Sequence, residues 1–91
     1  MAGDNITGTL TSVGPTEWLT LRGAEMSVSG TFVASWVFEV RYQSGQIHTL
    51  DAGTAPATSQ IAFKGAPKDV RLRITDYTSG TIRYDIDGMP R

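Results

Sequence analysis

From Thr31 to Ser44 the chain runs without glycine or proline, and its side chains alternate. Phe32, Ala34, Trp36, Phe38, Val40 and Tyr42 share one parity; Val33, Ser35, Val37, Glu39 and Arg41 share the other. A period of two, rich in aromatic and β-branched residues, predicts a long strand with one face on a core. The same reading predicts shorter strands over Ile6 to Val13, Trp18 to Arg22, Glu25 to Ser29, Ile47 to Leu50, Gln60 to Lys64, Val70 to Thr75 and Ile82 to Asp87. Glycine and proline punctuate the rest of the chain at short intervals, and no uninterrupted stretch has a helical period. About eight short strands separated by turn residues predict an all-β fold, a small antiparallel β-sandwich of jelly-roll-like kind.

The turns have their own pattern. Gly8-Thr9-Leu10, Gly30-Thr31-Phe32 and Gly80-Thr81-Ile82 each place glycine before a β-branched residue and an apolar one. Glycine relieves the backbone at a bend, and threonine suits the strand that follows. Gly23 is expected to turn the chain between two short strands. The small, polar stretch from Ala52 to Ser59 reads as the best loop in the chain.

Composition narrows what such a sandwich can do. With 91 residues there is room for one β-sandwich domain, 1–91, in which residues 1–5 read as a flexible arm. A chain of this size buries only about 60–65% of the surface it exposes when unfolded, so it needs support. It has no cysteine, and its single histidine, His48, does not make a zinc site. Association with other chains is the remaining support. The net charge of −1 gives no basic field for nucleic acid. No apolar run reaches the roughly 20 residues of a membrane span, and residues 1–5 do not read as a secretion signal. Asn5-Ile6-Thr7 fits a glycosylation acceptor but reads as a polar chain end.

Candidate chemistry is sparse. The chain carries none of the Gly-x-Ser-x-Gly, phosphate-loop or His-Glu-x-x-His patterns, and His48 has no recognisable nucleophile pattern beside it. Asp85 and Asp87 share a strand face, but two carboxylates fall short of the six to eight oxygens calcium takes. The reading is therefore not an enzyme, with no cofactor and no metal. Phe32, Trp36 and Phe38 belong to the core parity. Trp18 is open: with Leu19 and Leu21 inward it points outward beside Thr20 and Arg22, and a one-residue shift makes it core. Val33 and Val37, opposite the core parity, point to a second buried surface. Arg71, Arg73 and Arg83 occupy outer rows of later strands, within reach of pairs such as Glu39 with Arg73. Trp18, Val33, Val37, Arg71, Arg73 and Arg83 are the candidate interface residues.

Three segments carry a resemblance: Leu21-Arg22-Gly23, Met26 through Val33 with Phe38-Glu39-Val40-Arg41, and Val70 through Tyr84. Together they resemble small β-sandwich virion structural proteins of tailed bacteriophages. The chain departs from that pattern between Tyr42 and His48, where Gln43-Ser44-Gly45-Gln46 replaces an Asp-Gly turn followed by a Thr-Trp pair. The resemblance implies a capsid decoration or cement protein, a head-fibre-like module or a tail-associated module. It implies the major capsid protein or another virion protein as partner, a homo-oligomer with a trimer favoured, and a place on the capsid surface after synthesis in the host cytoplasm. Residues 1–7 would then lie over the shell as an arm. The alternative is a receptor- or glycan-binding module at the virion surface, for which Trp18 is the candidate aromatic.

Overall fold

The computed structural model describes residues 5–63 and 66–89, the Met89 side chain excepted. Its strands are β1 (Asn5–Leu10), β2 (Gly14–Pro15), β3 (Leu19–Leu21), β4 (Gly23–Ser29), β5 (Phe32–Arg41), β6 (Ile47–Gly53), β7 (Ala57–Ala62), β8 (Lys68–Gly80) and β9 (Ile82–Met89). One sheet has the order β1-β9-β4-β7; the other has the order β2-β8-β5-β6, with β3 also on β8. Since β2 and β3 are two pieces of one edge strand along β8, the count agrees with the expected eight.

Folding the chain in half at Ser44 sets β5 against β6, β4 against β7, β2 and β3 against β8, and β1 against β9. Rolling that long hairpin adds the β4–β9 and β5–β8 pairings and closes two sheets over one core. Strands of equal rank in the two orders are consecutive in sequence, which is jelly-roll topology.

The alternation read in β5 is the alternation found. Ala34, Trp36, Phe38 and Val40 are buried, and they meet Leu19, Leu21, Met26, Val28, Val70, Leu72, Ile74, Ile82 and Ile86 in one cluster. Each buried valine, leucine, isoleucine, methionine or phenylalanine among them contributes about 1.5–3 kcal/mol by leaving water. Trp36 is the largest, and its indole Nε1 donates to Ala55 O at 3.0 Å. Gly53, its cross-strand neighbour, makes room for it: a Cβ there would lie 2.8 Å from Trp36 Cζ2.

Several boundaries differ from the sequence reading. The expected loop from Ala52 to Ser59 shrinks to Thr54, Ala55 and Pro56, because Trp36 ties Ala55 down while β6 and β7 extend on either side. Gly23 lies inside β4, and Arg22 alone makes the turn. β1 stops at Leu10, whereas β8 runs on to Gly80 because register shifts opposite Val33/Ala34 and Ser35/Trp36 let pairing continue. Tyr42, on the inward parity, is 38% exposed, since the chain leaves the sheet there and turns through a Tyr42 N–H to Gln46 O bond of 2.9 Å. Of the expected arm, residues 1–4 lie outside the described residues. Asn5, Ile6 and Thr7 are strand residues paired with Asp87, Ile86 and Asp85, so the arm reading fails for them.

Gly8 is likewise mid-strand and not a turn. The other two Gly-Thr pairs do turn, and they lock together. Gly30 and Gly80 have φ of 102° and 97°, a region that favours glycine. A Cβ on Gly30 would strike Thr81 O, one on Gly80 would strike Thr31 O, and Thr81 N–H donates to Thr31 O at 2.9 Å. The β4–β5 and β8–β9 crossings between sheets are thus one interlocked corner.

Candidate functional site: the outer face of the second sheet

Trp18 owes its position to an irregular edge. β2 pairs Pro15 with Arg73, and β3 resumes with Leu19 against Val70, so three residues oppose two. Such a bulge re-aims a side chain. Thr16 secures it: its N–H donates to Leu72 O at 2.8 Å, and its Oγ1 accepts from Leu72 N at 3.2 Å. With Leu19 and Leu21 buried, Trp18 belongs to the outer side, which settles the question the sequence left open. It is half-buried and not free, because the guanidinium carbons of Arg71 and Arg41 lie 4.1 and 4.4 Å from its ring centroid. Cation–π contacts of this kind contribute about 0.5–2 kcal/mol each.

Both arginines are held from the other side. Arg41 and Asp69 are cross-strand neighbours joined at 2.7 Å, and Asp69 also accepts from Thr20 Oγ1 at 2.5 Å. Arg71 Nε donates to Glu39 Oε1 at 2.9 Å. Arg73 forks onto the same carboxylate, with Nε at 3.2 Å from Oε1 and Nη2 at 3.0 Å from Oε2. The expected Glu39–Arg73 pair is therefore present, with Arg71 as a third member.

Glu39 occupies the outer row, yet its side chain is only 6% exposed, because the arginines cover it. Burial by itself would raise its pKa. Hydrogen bonds from Arg73 and Arg71, and their charges, outweigh burial and hold the carboxyl below its ordinary value. The same pairing raises the pKa of Arg73, which stays charged. Among the described residues no buried side-chain nitrogen or oxygen lacks a partner. The network of Trp18, Thr20, Glu39, Arg41, Asp69, Arg71 and Arg73 is a fixed surface: three guanidinium groups, two carboxylates, one indole and one hydroxyl.

An apolar fringe surrounds it. Val37 is half-buried between Arg73 and Ala52, its cross-strand neighbours. Val33 is 59% exposed toward one end of β5, and Ile47, beside Arg41, is 46% exposed toward the other. Five of the six candidate interface residues, Trp18, Val33, Val37, Arg71 and Arg73, thus share one face. Arg83 does not join them. It lies on the other sheet between Thr9 and Ser29, facing away.

Sequence reasoning placed Thr20 and Arg41 in outer rows without naming them as site residues, and it missed Asp69 and Ile47. Asp69 shares parity with Arg71 and Arg73, and starting the expected strand one residue earlier would have found it. His48 meets Tyr42 edge-on, with ring centroids 5.1 Å apart. Asp87 sits beside Glu25, and among the described residues no group of three or more His, Asp or Glu side chains is arranged to hold a metal. A shallow depression of about 540 Å³ lies over Gly23 and Gly88 on the first sheet, away from the Trp18 face. Compared with known proteins, the chain matches no family model, no curated protein and no solved structure.

Proposed function

We propose that the chain is a non-enzymatic bacteriophage virion structural protein, a capsid decoration or cement protein that docks on the major capsid protein shell through the outer face of its second sheet. The observation that carries this reading is the ordering of Trp18 under Arg41 and Arg71, themselves tied to Asp69 and Glu39. Tryptophan and arginine dominate protein contacts, and side chains already fixed lose less entropy on binding. Val33, Val37 and Ile47 supply the apolar rim that such a face buries. The jelly roll, which recurs in viral shells and in lectins, agrees with this reading by analogy of fold alone. Many weak, repeated contacts would hold the shell together against pressure from inside.

The test is binding to expanded capsid shells. Val37→Glu puts a carboxylate at the centre of the face and is expected to weaken binding by about tenfold or more. Arg83→Glu, on the far sheet, is expected to leave it unchanged. Equal binding by wild type and Val37→Glu, with Val37→Glu folded by circular dichroism, would overturn the assignment. A glycan-binding module needs a free ring face on Trp18, and two guanidinium groups lie over that ring. Glycan-array binding that is lost in Trp18→Ala would favour that reading instead.

A further inference from the structure

The two sheets treat their edges differently. In the second sheet, the β2–β3 edge is short, broken by the bulge at Thr16–Trp18 and occupied by Pro15. Its other edge, β6, has a register shift opposite Phe38/Glu39 and carries Asp51. Bulges, proline, charge and brevity are the devices that stop an edge from pairing with another chain. Among the described residues neither edge strand of the first sheet has a bulge, a proline or a charge of its own, although Asp51 of β6 accepts a hydrogen bond from Ser59 of β7. β1 reads Asn-Ile-Thr-Gly-Thr-Leu and β7 reads Ala-Thr-Ser-Gln-Ile-Ala, six residues each, with no charge and no proline. Both keep an unbroken register with their single described neighbour, β9 for β1 and β4 for β7.

We infer that these two edges are a joint between copies of this chain, β1 of one copy pairing with β7 of the next. The direction of the strands permits it. All the pairings in the order β1-β9-β4-β7 are antiparallel, so β1 and β7 run oppositely. Two copies side by side in the same orientation therefore continue one antiparallel sheet without a break in alternation. The side chains also match. Ile6 and Leu10 on β1, and Ala57 and Ile61 on β7, point toward the core but remain half-buried. Joining the edges completes their burial, and the outer rows meeting there hold only Asn5, Thr7, Thr9, Thr58, Gln60 and Ala62. Length matches as well: each edge strand has six residues, about 20 Å, so β1 and β7 can pair over their full extent. Because the two surfaces differ, the joint is heterologous, the kind that closes into rings when the rotation per copy allows.

This inference rests on the homo-oligomer expected from the sequence and leaves the Trp18 face free for the shell. Sedimentation velocity across a concentration series tests it with two double variants, Thr7→Lys/Thr9→Lys on β1 and Thr58→Lys/Gln60→Lys on β7. Wild type is expected to associate with concentration, and each variant alone to associate at least about tenfold more weakly. A mixture of the two is expected to form a two-chain complex through the wild-type β1 of one and the wild-type β7 of the other. That recovery also shows both variants folded. Thr49→Lys, on β6, is expected to behave as wild type. A wild-type chain that stays monomeric throughout, a β1 variant that associates as wild type does, or a mixture with no complex would each overturn the joint. A monomer that still binds shells would remove the joint and leave the docking face standing.

Discussion

Glu39 shows how a single residue can be placed correctly by periodicity and still behave unexpectedly. Its parity is outward, and it is outward, but two arginines roof it over. Since folding lowers its pKa, the ionised carboxylate stabilises the native state at pH values above the ordinary 4.5, and that contribution is lost as pH falls through the folded value. Glu39→Gln is therefore expected to cost about 1–3 kcal/mol at pH 7, since Arg71 and Arg73 lose a charged acceptor. The difference from wild type should shrink at pH 3, as urea unfolding at both pH values would show. An unchanged difference at the two pH values would count against the role given to the carboxylate. Trp36 offers a second residue-scale test. Trp36→Phe keeps a ring in the core but loses the bond to Ala55 O, and it is expected to cost about 1–3 kcal/mol in the same measurement.

At the scale of elements, the corner made by Gly30-Thr31 and Gly80-Thr81 joins two crossings that the sequence presents as unrelated turns. Gly80→Ala meets both a disfavoured φ and the Thr31 carbonyl. The expected loss is about 2–4 kcal/mol, from backbone strain and overpacking together. Gly45 has a comparable φ of 92° but nothing within 4 Å of the added carbon. Gly45→Ala should therefore lose only about 1 kcal/mol, from backbone strain alone. Thermal melts of the two variants separate the contributions, since 1 kcal/mol shifts the midpoint by about 4–8 °C in a domain of this size. Equal shifts would mean that the interlock adds nothing. Much of the element list was legible beforehand because alternation marks strands directly. The bulge at Thr16–Trp18 was not, since it depends on which residues of β8 lie opposite.

For the whole molecule, the folded-over topology makes a prediction about connections. The tip at Gln43-Ser44-Gly45-Gln46 is exposed and closes only the innermost hairpin. Inserting five Gly-Ser residues after Gln43 is expected to cost about 0.5–1 kcal/mol, the entropy of a longer loop. The same insertion after Ala55 also displaces the carbonyl that accepts from Trp36, and should cost at least about 1 kcal/mol more. Denaturant midpoints would rank the two, and a reversed order would contradict the anchoring role of Ala55.

What the sequence determined by itself was whatever depends on neighbours along the chain. Alternation set the strands and their faces, missing cysteine left no disulfide, and the parity of β5 and β8 put Val33, Val37, Arg71 and Arg73 outward. What only the tertiary structure decided depends on neighbours across space. Strand order made the sandwich a jelly roll, the bulge turned Trp18 out beneath Arg41 and Arg71, and the division into two sheets sent Arg83 to the opposite face. The physical reason is that a strand's period tells which side chains share a face. Only pairing register and sheet order tell which faces and edges meet.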